Sequence, residues 1–118
     1  MKKYLITSAI LIAAFFVCLS NSGLAQDKAA KDGKTIFTEA KCNTCHAISI
    51  EKIEPASKKK NVPDLSDVGT KLKADFMHKY LKKEETLNDK KHLVAFKGDD
   101  ADLEILVKWM ESLKTKPE

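Results

Sequence analysis

The residues best suited to chemistry in this chain are Cys42, Cys45 and His46, which stand together in the pentapeptide Cys-Asn-Thr-Cys-His. Two thiols separated by two residues and followed directly by an imidazole match the pattern for covalent haem attachment. In that chemistry each thiol adds to one vinyl group of the porphyrin, and the ring of His46 approaches the iron from one side. The pattern therefore predicts a cofactor that carries the redox chemistry, while the chain supplies ligands and surroundings.

Three other uses of the same pentapeptide compete with haem attachment. A thiol–disulfide oxidoreductase uses a redox pair of cysteines with a lowered thiol pKa, but it is expected within a βαβ pattern that this sequence lacks. A closed zinc site requires four ligands, and only His78 and His92 remain as further histidines. A structural disulfide between the two cysteines is the third alternative in an exported protein. The flanking sequence favours haem over all three.

The first 25 residues have the features of a secretory signal peptide. Lysines precede an apolar run over residues 4–19, which is shorter than the roughly 20 residues that cross a bilayer. Small residues at the two positions that a signal peptidase reads, Gly23 and Ala25, predict cleavage after Ala25, and Cys18 lacks the small preceding residue of a lipid-modified cysteine. We therefore expect residues 1–25 to be removed and the protein to be periplasmic. A retained segment that tethers the protein to the membrane is the alternative.

The remaining domain, residues 26–118, is small and weakly basic. Removing 25 of 118 residues leaves 93, and 19 lysines against 17 acids give a formal charge of +2. No arginine is present, so the bidentate contacts of that side chain are not available, and no nucleic-acid partner is expected. A chain this short buries only a modest core, and a buried porphyrin would stabilise it.

Apolar residues at helical spacing predict three helices, over residues 27–40, 73–83 and 99–113. Asp27 and Asp99 are the predicted N-caps of the first and last helices. The polar stretch 84–91 is predicted to form one helical turn. Gly33 falls inside the first predicted helix, where glycine costs about 1 kcal/mol relative to alanine, so we expect a close helix crossing there.

Gly33-x-x-x-Phe37, followed closely by Cys-x-x-Cys-His, resembles the opening of a class I cytochrome c. In that family the glycine and the aromatic residue pack against the last helix, and Leu106-x-x-Trp109 matches the corresponding pair. The resemblance covers nearly all of residues 27–114. It implies a small all-α fold in which the first and last helices cross around one haem c, attached through two cysteines.

Val62-Pro63-Asp64-Leu65 resembles the Gly-Pro-x-Leu turn of the same family, with valine in place of glycine. The resemblance implies that the Pro63 carbonyl accepts a hydrogen bond from the free ring nitrogen of His46, which would fix the tautomer of that ligand. It also implies that Leu65 packs on the porphyrin. The alternative for Pro63 is that it only shapes a turn.

The second axial ligand of the iron is where the sequence departs from the family. Most members place a methionine just before the last helix, whereas this chain has His92-Leu93-Val94-Ala95-Phe96 there. We therefore predict that His46 and His92 are the metal ligands, because a neutral imidazole binds iron and leucine does not. The alternatives are Met77, His78, Met110, water, or no sixth ligand at all.

These features predict a one-electron carrier of a respiratory or periplasmic redox chain rather than an enzyme. Residues 52–97 carry twelve lysines and seven acids, and residues 99–118 carry three lysines and six acids. This asymmetry suits transient docking of a monomer to acidic redox partners, although solvation of two faces explains the same counts. Two alternatives remain: a haem protein whose sixth position is open or exchangeable, and the haem subunit of a larger exported oxidoreductase.

Overall fold

The computed structural model describes residues 31–58 and 61–115. Within them the regular structure is entirely helical, which confirms the predicted all-α class. The four α-helices are α1 (Gly33–Glu39), α2 (Val68–Lys71), α3 (Ala74–Leu81) and α4 (Asp100–Ser112). Two single 3₁₀ turns, Cys42–Thr44 and Ser49–Glu51, follow α1. The predicted signal peptide lies outside the described residues. No helix in the described ranges is long and apolar enough to cross a membrane.

The N-terminus of α1 differs from the prediction. Asp32 is its N-cap, and the carboxylate accepts a hydrogen bond from the Thr35 backbone N–H at 2.6 Å. Gly33 is therefore the first residue of the helix and not an interior one, so the interior penalty for glycine does not apply. The predicted cap Asp27 lies outside the described residues.

The crossing of α1 and α4 depends on Gly33. A Cβ atom at this position would lie 2.2 Å from Cβ of Trp109, so only glycine allows this approach without a shift of the chain. Phe37 packs edge-to-face on Trp109 with ring centroids 5.9 Å apart. Leu106, one turn earlier on α4, is fully buried. The predicted contact between the first and last helices is thus present.

The α4 helix organises the core. Asp99 caps it as predicted, accepting from the Asp102 N–H at 2.8 Å, and acidic residues occupy its first turn, where the helix dipole favours them. The buried apolar side chains of the core come from every helix and from the loop after α1: Ile36, Phe37, Ile48, Ile53, Val68, Met77, Leu103, Leu106, Val107, Met110 and Leu113. The core therefore fixes the ends of the loops that carry the histidines.

Two local predictions are wrong or incomplete. Residues 84–91 form no helical turn; a tight turn closes between Leu87 and Lys90, with Asn88 and Asp89 at φ 52° and 60°. Asn and Asp tolerate this left-handed backbone better than other non-glycine residues, which favours the turn. The short helix α2 was not predicted, because its position is set by tertiary contacts: Gly69 N–H donates to the Leu113 carbonyl at 2.9 Å.

Candidate functional site

The cysteine pair lies on the 3₁₀ turn that directly follows α1. Lys41 adopts a left-handed conformation with φ 59° and turns the chain out of the helix. The Cys42 carbonyl then accepts hydrogen bonds from the N–H groups of Cys45 and His46, both at 3.1 Å. This closes the tight loop that attachment through two thioethers requires. The backbone of the pentapeptide thus has the compact conformation that the spacing of its two cysteines predicts.

Both thiols are free, so the structure contains no disulfide between them. Cys42 is half-buried and Cys45 is exposed. Burial raises the pKa of the Cys42 thiol, and this is the opposite of the lowered pKa that activates a redox cysteine. A thiol–disulfide oxidoreductase is therefore disfavoured.

Within residues 31–58 and 61–115, no cluster of three or more His, Cys, Asp or Glu side chains suited to a metal ion is found.

The tertiary structure brings His46 and His92 together from segments 46 residues apart. Their ring centroids lie 6.1 Å apart, and the two ring planes are inclined by 21°. A bond between a metal ion and an imidazole nitrogen is about 2.0–2.1 Å, so two imidazoles on opposite sides of one ion have ring centres roughly 6 Å apart. The separation of His46 and His92 thus fits a single metal ion between them.

The tautomer of His92 leaves one ring nitrogen available. Its Nδ1 lies 2.6 Å from the Val94 carbonyl oxygen. A carbonyl oxygen only accepts hydrogen bonds, so Nδ1 carries the proton and donates it. The lone pair of His92 is then on Nε2, the form in which a histidine binds a metal while its other nitrogen is held by a backbone carbonyl.

His46 is in a more enclosed environment. Burial lowers its pKa, the nearby Pro63 carbonyl partly offsets that effect, and His92 lowers the pKa further. Its Nδ1 is buried and has no hydrogen-bond partner among the described residues. The Pro63 carbonyl accepts from the Ala47 N–H at 3.2 Å instead. The predicted hydrogen bond from His46 to the Pro63 carbonyl therefore stays a prediction. The Pro63 carbonyl does lie near the His46 ring.

The loop around His46 is anchored by Asp64. Its carboxylate accepts from the Ser66 N–H at 2.9 Å and the Ser66 hydroxyl at 2.6 Å. It also accepts from the Ser49 hydroxyl, and the backbone is paired on either side, with Leu65 N–H donating to the Ala47 carbonyl at 2.8 Å. The seryl donors outweigh desolvation and lower the pKa of Asp64 to about 2. These hydrogen bonds join the stretch that follows His46, which contains Ala47 and Ser49, to the stretch that contains Asp64 and Leu65.

The predicted turn at Pro63 tolerates valine without backbone strain. The left-handed conformation in this stretch belongs to Asn61, with φ 65°, and not to Val62. Pro63 is exposed, whereas Leu65 is half-buried and packs against the core. The predicted contact of Leu65 with a porphyrin is not tested by this geometry and stays a prediction.

The other candidates for the second axial ligand have structural roles. Met77 and Met110 belong to the core, with 2% and 6% of their surface exposed. His78 lies on α3, where its Nε2 is 3.8 Å from a carboxylate oxygen of Asp100. Of these candidates and His92, it is His92 whose ring lies near parallel to that of His46. The geometry therefore favours His92.

Two groups that support this site were not predicted from the sequence, Tyr80 and Asp64. Tyr80 lies edge-to-face against His92, with ring centroids 5.3 Å apart and planes inclined by 76°. From sequence, Tyr80 is one of the apolar residues at helical spacing within the predicted helix 73–83. The carboxylate of Asp64 was read as an unspecified turn residue. Neither role has a local sequence signal, because each depends on a partner far along the chain.

Comparison with known proteins gives one match. Residues 30–114 match the model of the family described as Cytochrome c, which is well over half of the chain. No curated protein and no solved structure gives a significant match.

Proposed function

This chain belongs to the cytochrome c family and is a haem-based electron carrier, and on that premise we propose how it holds the haem and where it works. The proposal is an exported monohaem cytochrome whose porphyrin is attached through Cys42 and Cys45. Its iron is held between His46 and His92.

The observation that carries the proposal is the placement of the two histidine rings. A centroid separation of 6.1 Å and near-parallel planes suit two ligands on opposite sides of one iron. The hydrogen bond from His92 Nδ1 to Val94 leaves Nε2 free for that role. The residues present therefore fit a haem that is held from both sides.

The haem and the protein have different roles in this proposal. The haem supplies one-electron chemistry at iron when it is bound. His46 and His92 would hold the iron from both sides, which would leave no open position for a substrate. Imidazole favours the ferric state more than a thioether does, so the reduction potential is expected below that of relatives with a methionine ligand.

Partner docking in this proposal is transient and guided by charge. Residues 52–97 carry a net charge of +5 and residues 99–118 a net charge of −3, from twelve lysines against seven acids and three against six. An asymmetric distribution of this kind orients a protein as it approaches an oppositely charged surface. The proposed partners are redox proteins with acidic docking surfaces, met by a monomer of this chain.

Export is the remaining part of the proposal. The charged start, the apolar run over residues 4–19 and the small residues Gly23 and Ala25 support a cleaved signal peptide. Periplasmic maturation is consistent with covalent haem attachment in an oxidising compartment. Edman sequencing or intact-mass analysis of the mature protein tests this part, and a chain that retains residues 1–25 would contradict it.

A second function has one observation in its favour. His92 lies outside the helices, on a segment whose next two side chains are exposed: Leu93 by 83% and Val94 by 57%. If His92 moved away with this segment, the iron would be open to a diatomic ligand. Rapid binding of carbon monoxide to the native reduced protein would favour this function over a pure electron carrier.

Ligation is tested on the haem-loaded protein by low-temperature electron paramagnetic resonance together with near-infrared absorption. Two imidazole ligands give a low-spin ferric spectrum without the sulfur-to-iron charge-transfer band. His92→Ala is expected to lose that low-spin spectrum and to bind carbon monoxide, while Met77→Leu and His78→Gln keep it. A charge-transfer band in the unmodified protein, or an unchanged spectrum in His92→Ala, would overturn the ligation.

A further inference from the structure

The ring of His92 contacts an aromatic pair on α3. Tyr80 packs edge-to-face on His92, and Phe76, one turn earlier, stacks on Tyr80 with centroids 5.8 Å apart and planes inclined by 16°. Residues four apart on a helix lie on the same face, so Phe76 and Tyr80 present one continuous aromatic surface. The Tyr80 end of this surface contacts the ring of His92, which lies on a different segment of the chain.

The segment of His92 gives its ring little independent support. The acceptor of its Nδ1–H is Val94, two residues along the same segment, so this bond moves with the segment. The side chains of Leu93 and Val94 are largely exposed, so they anchor the segment only weakly. The α3 helix, in contrast, is anchored in the core through Met77, which is 2% exposed. Tyr80 is therefore a link between His92 and a fixed part of the fold.

We propose that Tyr80 is a positioning residue, whose ring holds the His92 imidazole near parallel to that of His46 and keeps it against the iron. This inference rests on the proposed ligation by His92. The aromatic ring carries the effect, because Tyr80 and His92 meet ring to ring, edge against face.

Two measurable properties follow from this role. The angle between two axial imidazole planes sets the symmetry of the ligand field at ferric iron, so a ring that rotates changes the highest g-value. A well-oriented aromatic contact also favours the bound state, and its loss raises the fraction of protein with His92 released by roughly two- to tenfold. The affinity for carbon monoxide rises by the same factor, because only the open form binds.

The experiment compares three changes at Tyr80 in the haem-loaded protein. Tyr80→Leu and Tyr80→Met remove the ring but keep a good helix-forming residue, and Tyr80→Phe keeps the ring and removes only the hydroxyl. Phe76→Leu is the matched control, since it removes an aromatic ring from the same helix face without touching His92. Circular dichroism verifies that each variant keeps its helices, and two ring-free variants guard against one that does not fold.

The expected result is a shifted highest g-value and stronger carbon monoxide binding in Tyr80→Leu and Tyr80→Met. Tyr80→Phe should match the unmodified protein, and Phe76→Leu should lie close to it. The role of the Tyr80 ring is overturned, with the ligation intact, if the ring-free variants keep the unmodified spectrum or if Tyr80→Phe changes it as much as they do. A spectrum of the unmodified protein that lacks two imidazole ligands would remove both the ligation and this inference.

Discussion

The loop that carries His46 and the segment that carries His92 are held in very different ways. Around His46, backbone hydrogen bonds join Ala47 to Pro63 and Leu65, and the Asp64 carboxylate joins the same stretches through two serines. Around His92, the main tie to a helix is the Phe96 N–H, which donates to the Leu81 carbonyl at 2.9 Å. One histidine is enclosed by a hydrogen-bonded network, and the other is held by ring contacts and a short local bond.

This contrast supports the proposal that the chain differs from most members of its family at one of its two iron ligands and not at the other. The side of His46 is constrained by attachment chemistry and by the pairing of two loops, so few substitutions preserve it. The segment of His92 has exposed neighbours and few constraints, and segments of this kind open at a low free-energy cost. If His92 binds the iron as proposed, a histidine in place of the family's usual methionine would leave the α1–α4 framework unaffected.

The largest effect is expected from Cys42→Ala/Cys45→Ala. Without covalent attachment the small core loses a bound group that stabilises only the folded state, so we expect the cooperative thermal transition to be lost. Circular dichroism during heating measures this, and the holo protein and His92→Ala serve as controls that keep both thioethers. A double variant that melts as cooperatively as the holo protein would show that the polypeptide folds without haem.

Gly33→Ala should destabilise the framework by about 1–3 kcal/mol, the usual cost of overpacking. The new Cβ would meet Cβ of Trp109 at 2.2 Å, and that atom is fixed to the backbone of α4. Gly98→Ala is the matched control near His92, because its Cβ would meet the far end of the Phe96 ring at 2.6 Å, which is able to rotate away. Thermal midpoints compare the two, and equal losses would contradict a rigid framework beside a looser segment.

Asp64→Asn tests the network around His46 through pH. Hydrogen bonds from serines lower the pKa of Asp64 from 3.8 to about 2, so its ionised form stabilises the folded state. That stabilisation is complete above about pH 4 and is lost as the pH falls through 2. The carboxylate is largely exposed and screened, so we expect the variant to lose only about 1 kcal/mol at neutral pH.

The measurement for Asp64→Asn is denaturant unfolding of the holo protein and the variant between pH 2 and pH 7. The difference between their free energies of unfolding should shrink as the pH falls. A difference that stays constant over this range would show that the carboxylate charge has no part in the network.

The smallest effect is expected from Leu93→Ser. Leu93 is 83% exposed, so its substitution should change the free energy of unfolding by less than about 0.5 kcal/mol. Leu106→Ala, a fully buried leucine on α4, should cost about 2–5 kcal/mol in comparison. Denaturant titrations of both variants measure the ratio, and a large loss in Leu93→Ser would mean that the segment of His92 is tied to the core.

Local patterns were sufficient for much of this protein. The apolar spacing predicted α3 and α4, Asp99 was recognised as a cap, and the pairing of Gly33 and Phe37 with Trp109 followed from the family resemblance. The turn at residues 87–90 was misjudged, because a polar stretch suits either a turn or a helix end. The helix α2 was missed, since its backbone is held by the end of α4.

The proposed attachment chemistry is predicted from local sequence, because two cysteines and a histidine at this spacing are a pattern that needs no distant partner. Tertiary structure alone decided which second histidine faces His46, since His78 and His92 are both plausible by residue type. It also decided that Tyr80 contacts His92 and that Asp64 anchors the loop around His46. These contacts join residues distant in the chain, and only the packing of the helices sets the distances between them.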